Sequence, residues 1–183
     1  SVSVIVPAFN EAGNIQAAIT GVVHAVWQTG IKDYEVIVVN DGSTDATGAY
    51  AAYPPYEPAV RVLRHETNLG LRAAYETGLK HARYEYVTWV PGDGEMASES
   101  IANILRAIGT ADLVVPYHGT PERRPWFRRL LTWGSTSQLN ALLGHSLHYY
   151  QGPTVMRTDL ARRLPRTEAG FFSKPRRWSN CSA

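Results

Sequence analysis

The hydrophobic period of the chain changes twice between residues 2 and 39, and this change restricts the fold more than any other feature. VSVIV at residues 2–6 is a β-branched run. Ile15, Ile19, Val22, Val23 and Val26 then recur at the three- and four-residue spacing of one helix face, and YEVIVV at residues 34–39 is β-branched again. Strand, crossover helix and strand make a βαβ unit. The alternation continues: VRVL at 60–63 precedes the helical set Leu71, Ala74, Tyr75, Gly78 and Leu79, YVTWV at 86–90 precedes Ile101, Ile104, Leu105 and Ile108, and DLVVPY at 112–117 closes the series. Strands this apolar predict an α/β fold with a mostly parallel sheet and helices on both faces. With 183 residues, 44% of them hydrophobic, the chain fills one core, so residues 1–183 read as a single domain. Its rhythm breaks at 118–150, where Pro121, Pro125 and a basic aromatic segment replace the alternation. Residues 1–117 therefore form one half, and residues 118–183 an added segment.

Composition removes several classes of function. The net charge is +2, with Lys and Arg spread along the chain as far as about residue 120, which gives no basic stripe for a nucleic acid. Cys181 is the only cysteine, so neither a disulfide framework nor a cysteine metal site is expected, and a reducing, cytoplasmic setting fits. No apolar run reaches the roughly eighteen residues of a membrane span, and SVSVIVPAFNE opens as a strand and not as a basic leader. The chain contains neither G-x-G-x-x-G nor a Walker loop, which argues against dinucleotide binding. His65 and His81 have no paired spacing and read as core or surface residues.

Ligands of open α/β sheets bind outside the carboxyl ends of the strands. Three loops at such ends carry polar chemistry: PAFNE after the first strand, NDGSTD after the second and PGDGE after the fourth. Each alone has a local reading. Asn10 would cap a helix over residues 11–27, with Glu11 favouring its positive end. Asp41 and Gly42 would turn the chain, with Ser43, Thr44 or Asp45 capping the next helix, and PGDGE would be a polar turn.

Taken in order, PAFNEAGNI, VVNDGSTDAT, NLGLRAAYETGL and WVPGDGE resemble the family 2 glycosyltransferases of GT-A fold, a Rossmann-like architecture. Within them the likeness is to the branch of dolichol-phosphate mannosyltransferase and bacterial polyprenyl-phosphate sugar transferases, and it spans roughly residues 2–117. The resemblance implies inverting transfer from a UDP- or GDP-linked sugar. It places Pro7, Ala8, Asn10 and Glu11 against the nucleoside, and makes Asp41, in its Asp-Gly turn with Gly42, the acceptor for an N–H of the base. It also makes Asp93 the carrier of Mg²⁺ or Mn²⁺ bridging the diphosphate, with Glu95 as second or water-mediated ligand. The first acid of the usual D-x-D falls at Pro91, and Glu95 stands where the branch often has Gln.

PERRPWFRRLLTWGSTSQLNALLG carries a second clue. Arg123, Arg124, Arg128 and Arg129 alternate with Trp126, Phe127, Leu130, Leu131 and Trp133, a pattern suited either to an amphipathic helix packed on the domain or to an anionic membrane interface. By the resemblance, arginines of this region hold the diphosphate or a lipid phosphate, and Arg128 and Arg129 are the choice. Transfer to a sugar hydroxyl needs a positioned carboxylate, whereas a lipid phosphate is already an oxyanion and needs cations. Asp112, Glu122, Asp159 and Glu168 form no acidic pair of the kind that hydroxyl-directed relatives carry in this part of the chain. The expected partner is therefore a polyprenyl phosphate, reached by a protein peripheral to the inner face of the membrane. A saccharide-hydroxyl transferase and an inactive sugar-nucleotide-binding module are the rivals. GFFSKPRRWSNCSA ends without the acidic-then-basic helix that relatives carry, and Pro175 opposes a clean helix start, so the sequence reads as a truncated or tail-less member. Arg157, Arg176 and Arg177 are further candidates for phosphate contact.

Overall fold

The structure, a computed structural model, describes residues 1–52, 59–116 and 153–164. Strands β1 (Val2–Ala8), β2 (Tyr34–Asp41), β3 (Val60–His65), β4 (Tyr86–Trp89), β5 (Leu113–Val114) and β6 (Val155–Arg157) form one sheet in the order β3-β2-β1-β4-β6-β5. The four strands from β3 to β4 are mutually parallel, in keeping with the helical crossovers between them. β1 lies between β2 and β4, and all seven of its residues are buried.

Alternate residues of β1 serve opposite faces. Val2, Val4 and Val6 pack beneath α1 (Ile15–Thr29) and α4 (Ser98–Arg106), with Ile15, Ile19, Val22, Ile101 and Leu105 completing that layer. Ile5 points the other way, joining Ile37, Val39 and Val87 against Ala74 and Leu79 of α3 (Leu71–His81) and Ala161 of α5 (Thr158–Arg163). Helices thus cover both faces, as expected. α3 lies so close that a Cβ at Gly78 would sit 2.5 Å from Ile5 Cγ2, which is why glycine occupies that helical position.

Two details differ from the sequence reading. α1 begins at Ile15 and not at residue 11, because Asn10 adopts φ 56° and spends its side chain elsewhere. The Glu11 carbonyl accepts the Asn14 and Ile15 N–H groups at 3.0 and 2.9 Å, so residues 11–14 make a turn before the helix. The far edge of the sheet is also mixed. DLVVPY contributes only Leu113–Val114 as strand among the described residues, and it pairs antiparallel with β6, which itself runs antiparallel to β4. Neither β6 nor the short α2 (Thr47–Ala52) has a strong hydrophobic period to announce it.

Candidate functional site

The carboxyl ends of β1, β2, β3 and β4 converge, and hydrogen bonds between loops fix them there. The Asn10 N–H donates to Ser43 Oγ at 3.0 Å, and the Thr44 N–H returns a bond to Asn10 Oδ1 at 2.9 Å. Next along the chain, the Glu11 N–H donates to Thr47 Oγ1 at 2.7 Å and the Ala12 N–H to Asp45 Oδ2 at 3.1 Å. Asn10 and Asp45 therefore staple the first loop to the second. Asn10 is not the helix cap expected of it, whereas Asp45 does serve α2, its Oδ1 accepting the Thr47 N–H at 2.9 Å and the Thr47 hydroxyl. Burial pushes the Asp45 carboxyl up, but the bonds from Thr47 and from the Ala12 N–H outweigh it and hold the group below its ordinary value of 3.8.

Asp41 ties the second loop to the third. Only 3% exposed, it accepts the Leu69 and Gly70 N–H groups at 3.0 and 2.8 Å and contacts His65 Nδ1 at 2.6 Å. The carboxylate thus stands at the positive end of α3, where helix dipole and free N–H groups favour an anion. Gly42 makes this approach possible. It has φ +69°, and a Cβ there would fall 2.3 Å from the Thr67 carbonyl carbon.

The fourth loop lies against the first. The Gly92 N–H donates to the Pro7 carbonyl at 3.1 Å, and a Cβ at Gly92 would press on Pro7 O and Ala8 Cβ at 2.8 and 3.0 Å. Asp93 follows, half-buried, its Oδ1 accepting the Glu95 N–H at 3.1 Å across Gly94 in the left-handed region. Oδ2 has no hydrogen bond among the described residues. Pro7, Ala8 and Asp41 close their strands, and Asn10, Glu11, Gly42, Asp93 and Glu95 lie on the loops that follow.

The sequence profile of Glycosyl transferase family 2 matches residues 3–164. The chain belongs to glycosyltransferase family 2. The chain is 29% identical over 169 residues to an undecaprenyl-phosphate mannosyltransferase of Micrococcus luteus, the match covering 87% of this chain and 68% of that one. To a polyprenol monophosphomannose synthase of Mycolicibacterium smegmatis it is 32% identical over 159 residues, covering 79% of this chain and 57% of the relative. A mannosyltransferase of Pyrobaculum calidifontis, solved with GDP-Man and Mn²⁺, superposes with a TM-score of 0.52 at 28% identity over 72% of this chain and 38% of its own. The glucosyl-3-phosphoglycerate synthase of Mycobacterium tuberculosis shares the fold with a TM-score of 0.68 at 23% identity, over 90% of this chain and 58% of that one. The chain thus spans little more than half the length of several proteins it matches, and its sheet and helices are those of the GT-A fold.

The residues of the fourth loop suit a hard cation in part. Asp93 offers a free oxygen and Glu95 an exposed carboxylate two residues on, yet no group of three His, Cys, Asp or Glu among the described residues could hold an ion unaided. Such a donor set fits Mg²⁺ or Mn²⁺ once phosphate oxygens and waters complete it. Arg157 is placed elsewhere. It pairs in register with Tyr86 at the start of β4, opposite the end that carries Asp93, and bonds Asp159 at 3.1 Å. Arg123, Arg124, Arg128, Arg129, Arg176 and Arg177 lie outside the described residues.

Asp45 and His65 join the bonded loops as well, beyond the residues expected from sequence. Asp45 carried a signal, being the second acid of NDGSTD. His65 carried none, because its role depends on a strand pairing that places it beside Asp41.

Proposed function

We propose that the protein transfers a sugar from a UDP- or GDP-linked donor to a polyprenyl phosphate at the cytoplasmic face of a membrane. The observation that supports this reading is the set of bonds tying the first loop to the second and to the fourth, at the carboxyl ends of β1, β2 and β4 where Asn10, Asp41 and Asp93 stand. The nucleoside lies against Pro7, Ala8, Asn10 and Glu11. Asp41 has accepting capacity left beyond its three inward bonds, since a carboxylate offers about four lone-pair sites, and it presents that to the base above Gly42. Asp93, with Glu95, would hold the Mg²⁺ or Mn²⁺, which supplies charge neutralisation where the diphosphate leaves. The mannosyltransferase solved with GDP-Man and Mn²⁺ supports both the donor class and the metal.

The acceptor follows from the polyprenyl-phosphate relatives and from the arginines at 123–129. A phosphate monoester attacks as an oxyanion, so no general base is required, and Arg128 and Arg129 would hold its charge. Among the described residues no helix is long and apolar enough to cross a membrane, which suits a peripheral approach. A thermal-shift panel of UDP, GDP and CDP sugars, each with and without Mn²⁺, tests the donor half. One nucleotide should raise the melting temperature in a Mn²⁺-dependent way, and a flat panel would refute it.

A further inference from the structure

His65, at the carboxyl end of β3, is bonded through both ring nitrogens and has no task in the proposed function. It lies on β3 in register with Asp41 of β2, its side chain only 10% exposed. One ring nitrogen, Nδ1, is 2.6 Å from Asp41 Oδ1, and the other, Nε2, is 2.9 Å from Thr77 Oγ1 on α3. An ionised carboxylate can only accept, so Nδ1 carries the proton of that bond. In the neutral ring Nε2 then accepts the Thr77 hydroxyl proton, and every polar atom of the chain Asp41–His65–Thr77 is matched. The carboxylate is also gripped by the Leu69 and Gly70 N–H groups. The carboxylate is thereby held from three sides, Oδ1 accepting from His65 and Leu69 and Oδ2 from Gly70.

We infer that His65 is a positioning residue for the donor nucleotide: it aims the Asp41 carboxylate at the base and, through Thr77, locks that aim to α3. The inference rests on the donor-site reading above and adds the residue that makes Asp41 a fixed acceptor. Fixity matters because a carboxylate free to rotate loses entropy on binding, whereas one already held by its neighbours does not. His65 does not touch the donor.

Three substitutions separate the two ends of the ring. His65→Asn retains an amide donor near the Nδ1 position and gives up Thr77. His65→Gln reaches the Nε2 position and gives up Asp41. His65→Phe retains the ring and loses both bonds. Amide hydrogen exchange of Leu69 and Gly70, measured without ligand, reports the placement of the carboxylate. Calorimetric titration with UDP and with GDP in the presence of Mn²⁺ reports its consequence. In His65→Phe and His65→Gln both amides should exchange at least tenfold faster, and the preferred nucleotide should bind roughly tenfold more weakly, a difference worth about 1.4 kcal/mol. His65→Asn should recover most of both. Unchanged exchange in His65→Phe would overturn the inference. Faster exchange with undiminished nucleotide affinity would overturn it while leaving the donor site intact. A wild-type protein that binds neither nucleotide would instead remove the donor-site reading, and the inference with it. If His65→Phe fails to fold, Thr77→Val gives the milder test, with a smaller change of the same sign in exchange and affinity expected and no change in either counting against the inference.

Discussion

At the scale of single residues the site is a set of carboxylates with different duties. Asp93 keeps one oxygen unbonded among the described residues, so Asp93→Ala should abolish the Mn²⁺-dependent strengthening of nucleotide binding and Glu95→Ala should weaken it less. Equal metal dependence in wild type and Asp93→Ala, by titration, would return PGDGE to being a turn. Asp41 is buried and bonded, so Asp41→Asn places an amide where donors already point. Nucleotide affinity should fall by roughly 1–3 kcal/mol and unfolding stability should fall as well, both readable by calorimetry and denaturant titration. Asp45 is held below its ordinary value, so its stabilising contribution is present in full above 3.8 and is lost as pH falls through the lower folded value. The stability gap between wild type and Asp45→Asn should therefore narrow in acid. Being exposed, Asp45 contributes a modest effect that salt screens. Asp41 and Asp93 were legible as carboxylates in turns after strands. Their partners were not, because Asp41 reaches His65, Leu69 and Gly70 across 24 to 29 residues of sequence.

At the scale of elements, hydrophobic period located β1, α1, β2, β3, α3, β4 and α4, since each packs apolar side chains into the layers on the two faces of the sheet. It could not locate ends set by side chains acting over distance. Asn10 looks like a cap to its own helix, yet its Oδ1 is satisfied by the Thr44 N–H, and α1 starts later as a result. Nor could it reveal β6, a three-residue strand whose direction depends on pairing with β4. The packing of α3 on β1 is testable at this scale. Gly78→Val forces side-chain atoms into Ile5 and should cost about 1–3 kcal/mol of unfolding free energy, measured in urea, with α3 shifted away from the sheet. A neutral outcome would mean that α3 is free to move. Because Asp41 holds the Leu69 and Gly70 N–H groups at the start of α3, the same substitution should also loosen the proposed donor site.

At the scale of the whole molecule, the sequence sets an expected division at residues 117–118, between an expected nucleotide-sugar half and a segment rich in Arg and Trp. Family and fold cross that division, since the family match runs over residues 3–164 and β6 completes the sheet beside β4, while the bonds between loops lie in the first part. The choice of acceptor rests on charge in the second and on relatives that take lipid phosphates. Replacing Arg128 and Arg129 together by Ala should therefore lower binding to anionic vesicles and raise the acceptor KM, while nucleotide affinity stays nearly constant. The central claim is tested most directly by incubating the protein with Mn²⁺, a radiolabelled sugar nucleotide and vesicles carrying undecaprenyl phosphate, then following label into the organic phase. The expected result is label in the lipid, dependent on the polyprenyl phosphate and lost in Asp93→Ala. Label that stays out of the lipid, while a soluble oligosaccharide is glycosylated at full rate, would contradict it.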